Sequence, residues 1–130
     1  MKLMTILGTR PEIIRLSVIC GELDQYCSQV VVHTGQNYDR SLNEVFYEEM
    51  RLRPPDLFLG VRATGFAEQI GQMIPAIDEA ITQVAPDRIL YLGDTNTILA
   101  AAIVAARRRI PSFHLEAGNR CYDDRVPEEV

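Results

Sequence analysis

Short, mostly apolar runs recur along this chain, and longer segments with a helical spacing of apolar residues separate them. The runs cover residues 2–7, 29–33, 56–59, 87–92 and 110–115. Runs of this length are typical of buried strands, because the helices of globular domains are usually longer. The alternation of strand and helix therefore predicts an α/β fold whose strands form a parallel, doubly wound sheet with right-handed crossovers. We expect the short third strand near an edge of that sheet.

The first predicted helix begins after Thr9 and continues to about Tyr26. Thr9 and Glu12 have the spacing of a capping box, and Pro11 occupies the first turn, where its missing N–H costs nothing. The residues that we expect on the buried side of this helix are Ile13, Ile14, Leu16, Val18, Ile19 and Leu23.

Three further helices are predicted at residues 42–50, 64–85 and 98–109. Pro75 lies in the middle of the second of these segments and is expected to kink the helix. The last segment is rich in alanine and ends in three arginines, which suit the negative end of a helix dipole. The apolar positions expected in the first two are Leu42, Val45, Phe46, Met50, Phe66, Ile70, Met73, Ile74, Ile77 and Ile81.

Composition excludes several classes of function. A chain of 130 residues with 47% hydrophobic and 24% charged residues fits a single globular domain over residues 1–130. The net charge of −5 argues against a nucleic-acid groove, which needs clustered lysine and arginine. No apolar run approaches the roughly 20 residues that span a bilayer, and residues 1–2 lead directly into a strand instead of a signal peptide. We therefore expect a soluble, cytoplasmic protein without a membrane partner.

The cysteines and glycines argue against a bound metal or dinucleotide. Cys20, Cys27 and Cys121 are odd in number and lack the spacing of a metal site, which fits a reducing compartment. We interpret Cys20 and Cys27 as small buried hydrophobic residues. Gly8 is followed by Thr-Arg-Pro and lacks the second and third glycines of a dinucleotide-binding loop. The sequence predicts neither a metal site nor a cofactor.

Polar residues follow four of the predicted strands. In an open parallel sheet these strand ends share one edge, and ligands bind there. Polar groups from distant parts of the chain should therefore converge at that edge. The segments concerned are residues 9–12, 35–37 (with Gln36 and Asn37), 94–97 and 116–120.

Arg10 and Asp94 each have two interpretations. Arg10 lies at a helix N-terminus, where free N–H groups and the guanidinium together favour a phosphate or other anion. Alternatively, Arg10 is solvated and its neighbours only start the helix. Asp94, taken alone, is best explained as the N-cap of the following helix, although Asn96 or Thr97 could also cap it.

Glu116 continues an apolar strand, so we expect it to be partly buried, which would shift its pKa and favours a functional role. If the strand extends that far, His114 points to the same face. His114 and His33 are otherwise expected to be packed, hydrogen-bonded core residues. Glu128 and Glu129 suit the first turn of a further helix, where acids favour the dipole.

Four motifs together resemble the N-terminal half of the non-hydrolysing UDP-N-acetylglucosamine 2-epimerases. In chain order they are Gly8-Thr9-Arg10-Pro11-Glu12, Gly93-Asp94-Thr95, Glu116-Ala117-Gly118 with Arg120, and Pro127-Glu128-Glu129. The resemblance spans the whole of the 130 residues. Residues 33–39 and 116–129 are similar to the branch of the family that makes UDP-N-acetyl-L-fucosamine for capsule and O-antigen polysaccharides.

The resemblance implies the Rossmann-like N-terminal half of a two-domain, glycosyltransferase-B-like fold, with the sugar nucleotide between the domains, and a homodimer. The implied reaction inverts carbon 2 by elimination of UDP to a 2-acetamidoglucal-type intermediate, followed by re-addition of UDP on the other face. By motif, Asp94, Glu116 and Glu128 are implied to act as acids or bases. The implied substrate contacts are Arg10, Arg15, Gln36, Asn37 and Arg120.

The chain departs from the family pattern in three respects. Arg15 stands where most of the family has lysine, which keeps the charge and changes the geometry. The loop after Glu116 is shorter than in the main branch, which leaves the alignment of Glu128 against Glu129 open. These residues also lack the family's second domain, so we expect the isolated chain to be inactive. A non-catalytic fragment that needs a second polypeptide and the acceptor-side domain of a glycosyltransferase are the alternatives.

Overall fold

The computed structural model describes residues 1–35, 45, 47–50, 52–123 and 125. Within them lies a five-stranded sheet in which every pairing is parallel and the strand order is β3-β2-β1-β4-β5. The predicted fold class and the edge position of β3 are confirmed. The strands are β1 (Lys2–Leu7), β2 (Ser28–His33), β3 (Leu57–Phe58), β4 (Arg88–Leu92) and β5 (Ser112–Leu115).

Three helices are complete within the described residues, and none of them is long and apolar enough to cross a membrane. Of the helix predicted at residues 42–50, Val45 and residues 47–49 are helical, Met50 lies in a turn, and residues 42–44 and 46 lie outside the described residues. Pro75 lies inside a helix that continues on both sides of it, and the expected kink stays a prediction. The helices are α1 (Arg10–Tyr26), α2 (Phe66–Val84) and α3 (Asn96–Arg108).

Alternating residues of the three central strands, β1, β2 and β4, face two separate cores. Met4 and Ile6 of β1 pack with α2 and α3 on one face of the sheet. Leu3 and Leu7 pack with α1 on the other face. β1 and β4 are neighbours in the sheet. After β1 the chain continues toward the β3 edge, and after β4 it continues toward the β5 edge, so the order of strands reverses between β1 and β4. The loops after β1 and β4 therefore flank the crevice where ligands of such sheets bind.

The buried side of α1 is narrower than predicted. Ile13 and Leu16 are buried as expected, but Ile14 and Val18 are exposed, because they lie on the side of the helix that faces away from the sheet. Phe66, at the start of α2, is also exposed. The prediction that these three residues lie on the buried sides of their helices is therefore wrong. Ile19, Val45 and Met50 are exposed as well. The other described apolar residues of these predictions are buried (Cys20, Met73, Ile77, Ile81) or half-buried (Leu23, Cys27, Ile70, Ile74).

Gly8, between β1 and α1, has no space for a side chain. A Cβ atom at this position would lie 2.3 Å from Oγ1 of Thr34 and 2.3 Å from Oγ1 of Thr97. These two hydroxyls are buried and hydrogen bond to each other at 2.9 Å. The absent Cβ therefore allows the ends of β1 and β2 to meet the start of α3.

We predict that Gly8→Ala lowers the free energy of unfolding by about 2 kcal/mol, because the added methyl group forces apart well-packed neighbours. Urea unfolding of the purified chain measures this change. Gly71→Ala is the matched control, since a Cβ at Gly71 inside α2 meets no atom within 4 Å. It should raise the same free energy by roughly 0.5 kcal/mol. Equal effects of the two substitutions would contradict the packing constraint at Gly8.

Candidate functional site

The loops that follow four strands lie side by side at the carboxyl edge of the sheet. The N–H of Thr34, after β2, donates to the carbonyl of Leu7 at the end of β1 (2.9 Å). The N–H of Gly93, after β4, donates to the carbonyl of Leu115 at the end of β5 (3.1 Å). The predicted convergence of polar loops from distant parts of the chain is therefore confirmed for the described residues.

Glu12 holds two of these loops together. Its side chain is buried, and its Oε2 accepts hydrogen bonds from the N–H groups of Gly8 (2.6 Å) and Thr9 (3.0 Å). Its Oε1 accepts a hydrogen bond from the hydroxyl of Thr95, on the loop after β4, at 2.6 Å. Burial raises the pKa of Glu12, and the hydrogen bonds from Thr95, Gly8 and Thr9 act in the opposite direction. The spacing of Thr9 and Glu12 predicts the capping box, but it does not predict the contact of Glu12 with Thr95 on the loop after β4.

Asp94 is exposed on the loop after β4 and does not cap the following helix. Thr95 is the N-cap of α3, and its hydroxyl is directed to Glu12 instead of the helix. Thr97, which we considered as another cap, is buried against Thr34. The capping interpretation of Asp94 is therefore wrong, because α3 begins one residue later than that role requires. Its carboxylate faces solvent beside the crevice.

Arg10 is the first residue of α1 and is partly exposed at the same edge. The helix N-terminus offers fewer donors than predicted, because the Thr9 N–H already binds Glu12 and Pro11 has no N–H. An anion at this edge would therefore depend on the guanidinium of Arg10 more than on backbone groups.

Arg15 and Glu116, two predicted site residues 101 positions apart, form an ion pair in which Nη1 and Oε2 are 2.6 Å apart. The prediction that Glu116 is partly buried is wrong: the residue is exposed. β5 ends at Leu115, and Glu116 turns out of the strand with a φ of 63°. Because the described sheet ends at β5, no neighbouring strand covers this position there.

The two histidines differ in burial. His33 is buried at the end of β2, its Nδ1 accepts the N–H of Gly35 at 2.9 Å, and the prediction of a packed core residue is confirmed. His114 is exposed, so the same prediction is wrong for it. Its Nε2 donates to the carbonyl of Gly93 at 2.6 Å, and its ring lies edge-on to Tyr91 with centroids 5.1 Å apart. His114 thus attaches β5 to the loop that carries Asp94.

Arg120 is exposed beyond β5. Gln36, Asn37 and Glu128, the other predicted site residues, lie outside the described residues. Among the residues that the structure does describe, no group of three or more histidine, cysteine, aspartate or glutamate side chains could hold a metal ion.

Residues 22–130 match the model of a protein family described as UDP-N-acetylglucosamine 2-epimerase. Over 132 residues the chain is 37% identical to the UDP-2,3-diacetamido-2,3-dideoxy-D-glucuronate 2-epimerase of Pseudomonas aeruginosa, covering 100% of this chain and 37% of the relative. It is 40% identical over 131 residues to a UDP-N-acetylglucosamine 2-epimerase of Methanocaldococcus jannaschii, covering 100% of this chain and 36% of the relative. The chain thus spans about a third of the length of these curated relatives.

Solved structures agree with the sequence comparisons. A UDP-N-acetylglucosamine 2-epimerase from Rickettsia bellii is 51% identical, with a TM-score of 0.90 over 99% of this chain and 34% of that one. The Methanocaldococcus jannaschii enzyme in complex with UDP-GlcNAc and UDP is 41% identical, with a TM-score of 0.93 over 99% of this chain and 36% of that one. The α/β fold described above therefore matches one part of the glycosyltransferase-B-like fold of these structures, of which the chain covers about a third.

We predict that His33 makes the chain less stable in acid. Burial lowers the pKa of His33 from 6.5 to about 4. Between these values the unfolded chain binds a proton that the folded chain does not, so stability falls as pH falls through this window. In His33→Asn, whose Oδ1 can accept the Gly35 N–H, the loss between pH 7 and pH 4.5 should be smaller by about 2 kcal/mol. Urea unfolding at both pH values measures it, and parallel losses in the two proteins would contradict the prediction.

Proposed function

Because the chain belongs to the UDP-N-acetylglucosamine 2-epimerase family, we propose that it is the N-terminal part of an enzyme that inverts carbon 2 of a UDP-N-acetylhexosamine. The observation that supports this most directly is the meeting of the loops of Arg10, Asp94 and Glu116 at one edge of the sheet. A structural neighbour with a TM-score of 0.93 was solved with UDP-GlcNAc and UDP. The same edge is where a parallel sheet of this topology binds its ligand.

The proposed reaction eliminates UDP and adds it back on the other face of the sugar. Carbon 2 has no adjacent carbonyl group, so removal of its proton needs a positioned base and stabilisation of the departing diphosphate. We assign Asp94, Glu116 and Glu128 as the acids and bases. The carboxylates of Asp94 and Glu116 are exposed at the described edge, where a substrate could reach them.

The arginines supply the positive charge that a diphosphate requires. We propose that Arg10, Arg15 and Arg120, with Gln36 and Asn37, contact the substrate. The guanidinium of Arg15 already lies 2.6 Å from Glu116. A cation that meets the leaving diphosphate and a carboxylate that moves a proton would therefore be neighbours. Guanidinium groups suit this task because they bind phosphate oxygens in pairs.

The rest of the proposed enzyme lies in a second, nucleotide-binding domain that residues 1–130 do not contain. The chain spans about a third of its relatives, 34% of the Rickettsia bellii structure and 36% of the Methanocaldococcus jannaschii one. We therefore propose that the substrate lies between the two domains and that the 130-residue chain alone has no turnover. We further propose a cytoplasmic homodimer that supplies precursors of surface polysaccharide and binds neither nucleic acid nor membrane.

We predict that a chimera restores activity. Residues 1–130 would replace the matching third of the Rickettsia bellii relative, and UDP-N-acetylglucosamine would be supplied in D₂O. The chimera should form the 2-epimer with deuterium at carbon 2, because elimination and re-addition exchange that proton with solvent. Proton NMR follows both changes. A chimera that folds but exchanges no deuterium, while the parent enzyme does, would refute the proposed function.

In the same chimera we predict that Asp94→Asn and Glu116→Gln each lower kcat by about 100-fold or more, the usual effect of removing a general acid or base. Both residues are exposed, so the melting temperature should change little. Glu79→Gln, an exposed carboxylate on α2, is the matched control and should keep full activity. Equal kcat values in Asp94→Asn and Glu79→Gln would contradict the assignment of Asp94 as an acid or base.

A further inference from the structure

Glu12 does more than a capping residue needs to do. A capping box requires only that the side chain accept the N–H of the N-cap residue, and glutamine serves as well as glutamate. Glu12 accepts the N–H of Thr9 in this way, but it is also buried, with 2% of its surface exposed. Its second oxygen binds the hydroxyl of Thr95, 83 residues further along the chain. Capping of α1 explains neither the burial nor this contact.

The three donors to Glu12 come from the two loops that flank the reversal of strand order. Gly8 and Thr9 immediately precede Arg10, and Thr95 immediately follows Asp94. One carboxylate therefore bridges the backbone next to a proposed diphosphate contact and the backbone next to a proposed acid or base. Among the described residues, Thr95 makes no side-chain hydrogen bond to the helix that it caps, and its hydroxyl donates to Glu12 instead.

We propose that Glu12 is a positioning residue, which acts through Thr95 to fix the carboxylate of Asp94 relative to Arg10. This inference rests on the proposed function. A misplacement of about 1 Å at a reacting group can cost about 100-fold in rate. The bridge holds the two loops at hydrogen-bond distance before any substrate arrives, so the geometry does not have to be created on binding.

Thr95→Val tests the bridge, because it removes the hydroxyl, keeps the shape of the side chain and removes no side-chain hydrogen bond to the end of α3. Thr95→Ser restores the hydroxyl. Thr5→Val is the matched control: the Thr5 hydroxyl, buried in the interior of the sheet, also donates to a side-chain oxygen, Oε1 of Gln29 at 2.8 Å. Should Thr95→Val not fold, Thr95→Ala removes the same hydroxyl without an added methyl group.

Kinetics in the chimera and amide NMR of the 130-residue chain are the two measurements. We expect Thr95→Val to lower kcat by about 30-fold, because the loop of Asp94 loses its hydrogen bond to Glu12. KM should change by less than about threefold. Thr95→Ser should retain most of kcat, and Thr5→Val should retain kcat even where it lowers the melting temperature equally. In the chain, Thr95→Val should shift the amide resonances of Gly8 and Thr9, which share the carboxylate with the lost hydroxyl.

The outcomes separate this inference from the function on which it rests. If the unaltered chimera has no activity, the proposed function fails and the positioning role fails with it. If the unaltered chimera is active but Thr95→Val loses no more kcat than Thr5→Val, the function stands and the positioning role is refuted. Failure of Thr95→Ser to restore kcat, or unmoved amide resonances of Gly8 and Thr9 in Thr95→Val, also refutes it.

Discussion

The buried carboxylate of Glu12 is the interaction on which the carboxyl edge of the sheet depends. Moving a carboxylate out of water is costly unless hydrogen bonds replace its hydration. Here the replacement donors belong to two different loops, two N–H groups after β1 and the Thr95 hydroxyl after β4. Separation of these loops would leave Oε1 of this buried carboxylate without the Thr95 hydroxyl while Gly8 and Thr9 still bind Oε2, so burial of Glu12 favours their close approach. Gly8 adds a steric condition beside it, because a Cβ there would collide with Thr34 and Thr97.

The loops at this edge of the sheet are held with different strength. The loops of Arg10 and Asp94 are joined by a buried charge, whose hydrogen bonds are strong. The Glu116 segment is held by backbone and histidine contacts to Gly93 and by the exposed ion pair with Arg15. Exposed ion pairs contribute only about 0–1 kcal/mol. A substrate could therefore separate Arg15 from Glu116 at little cost while the loops of Arg10 and Asp94 keep their geometry, which suits a site whose cation and carboxylate both have to engage a ligand.

Local pattern was sufficient to predict the fold and the edge at which the site lies, because strand and helix periodicity and the rule for parallel sheets need no tertiary detail. It was insufficient where a contact joins distant segments. The spacing of Thr9 and Glu12 indicates a capping box, but nothing local indicates Thr95 as the further partner of Glu12. The burial predicted for Glu116 assumed that the strand continues, whereas the chain turns there with a positive φ. Apolar residues on both sides of α1 likewise concealed which side faces the sheet.

The most direct test of the account is a crystal structure of the chimera with UDP-N-acetylglucosamine, in which the distances from carbon 2 to the carboxylate oxygens of Asp94 and Glu116 are measured. The account predicts that the sugar lies over the crevice between β1 and β4, with at least one of these oxygens about 3 Å from carbon 2 or joined to it through one water molecule. A sugar bound away from this edge, with neither carboxylate within that reach, would contradict it.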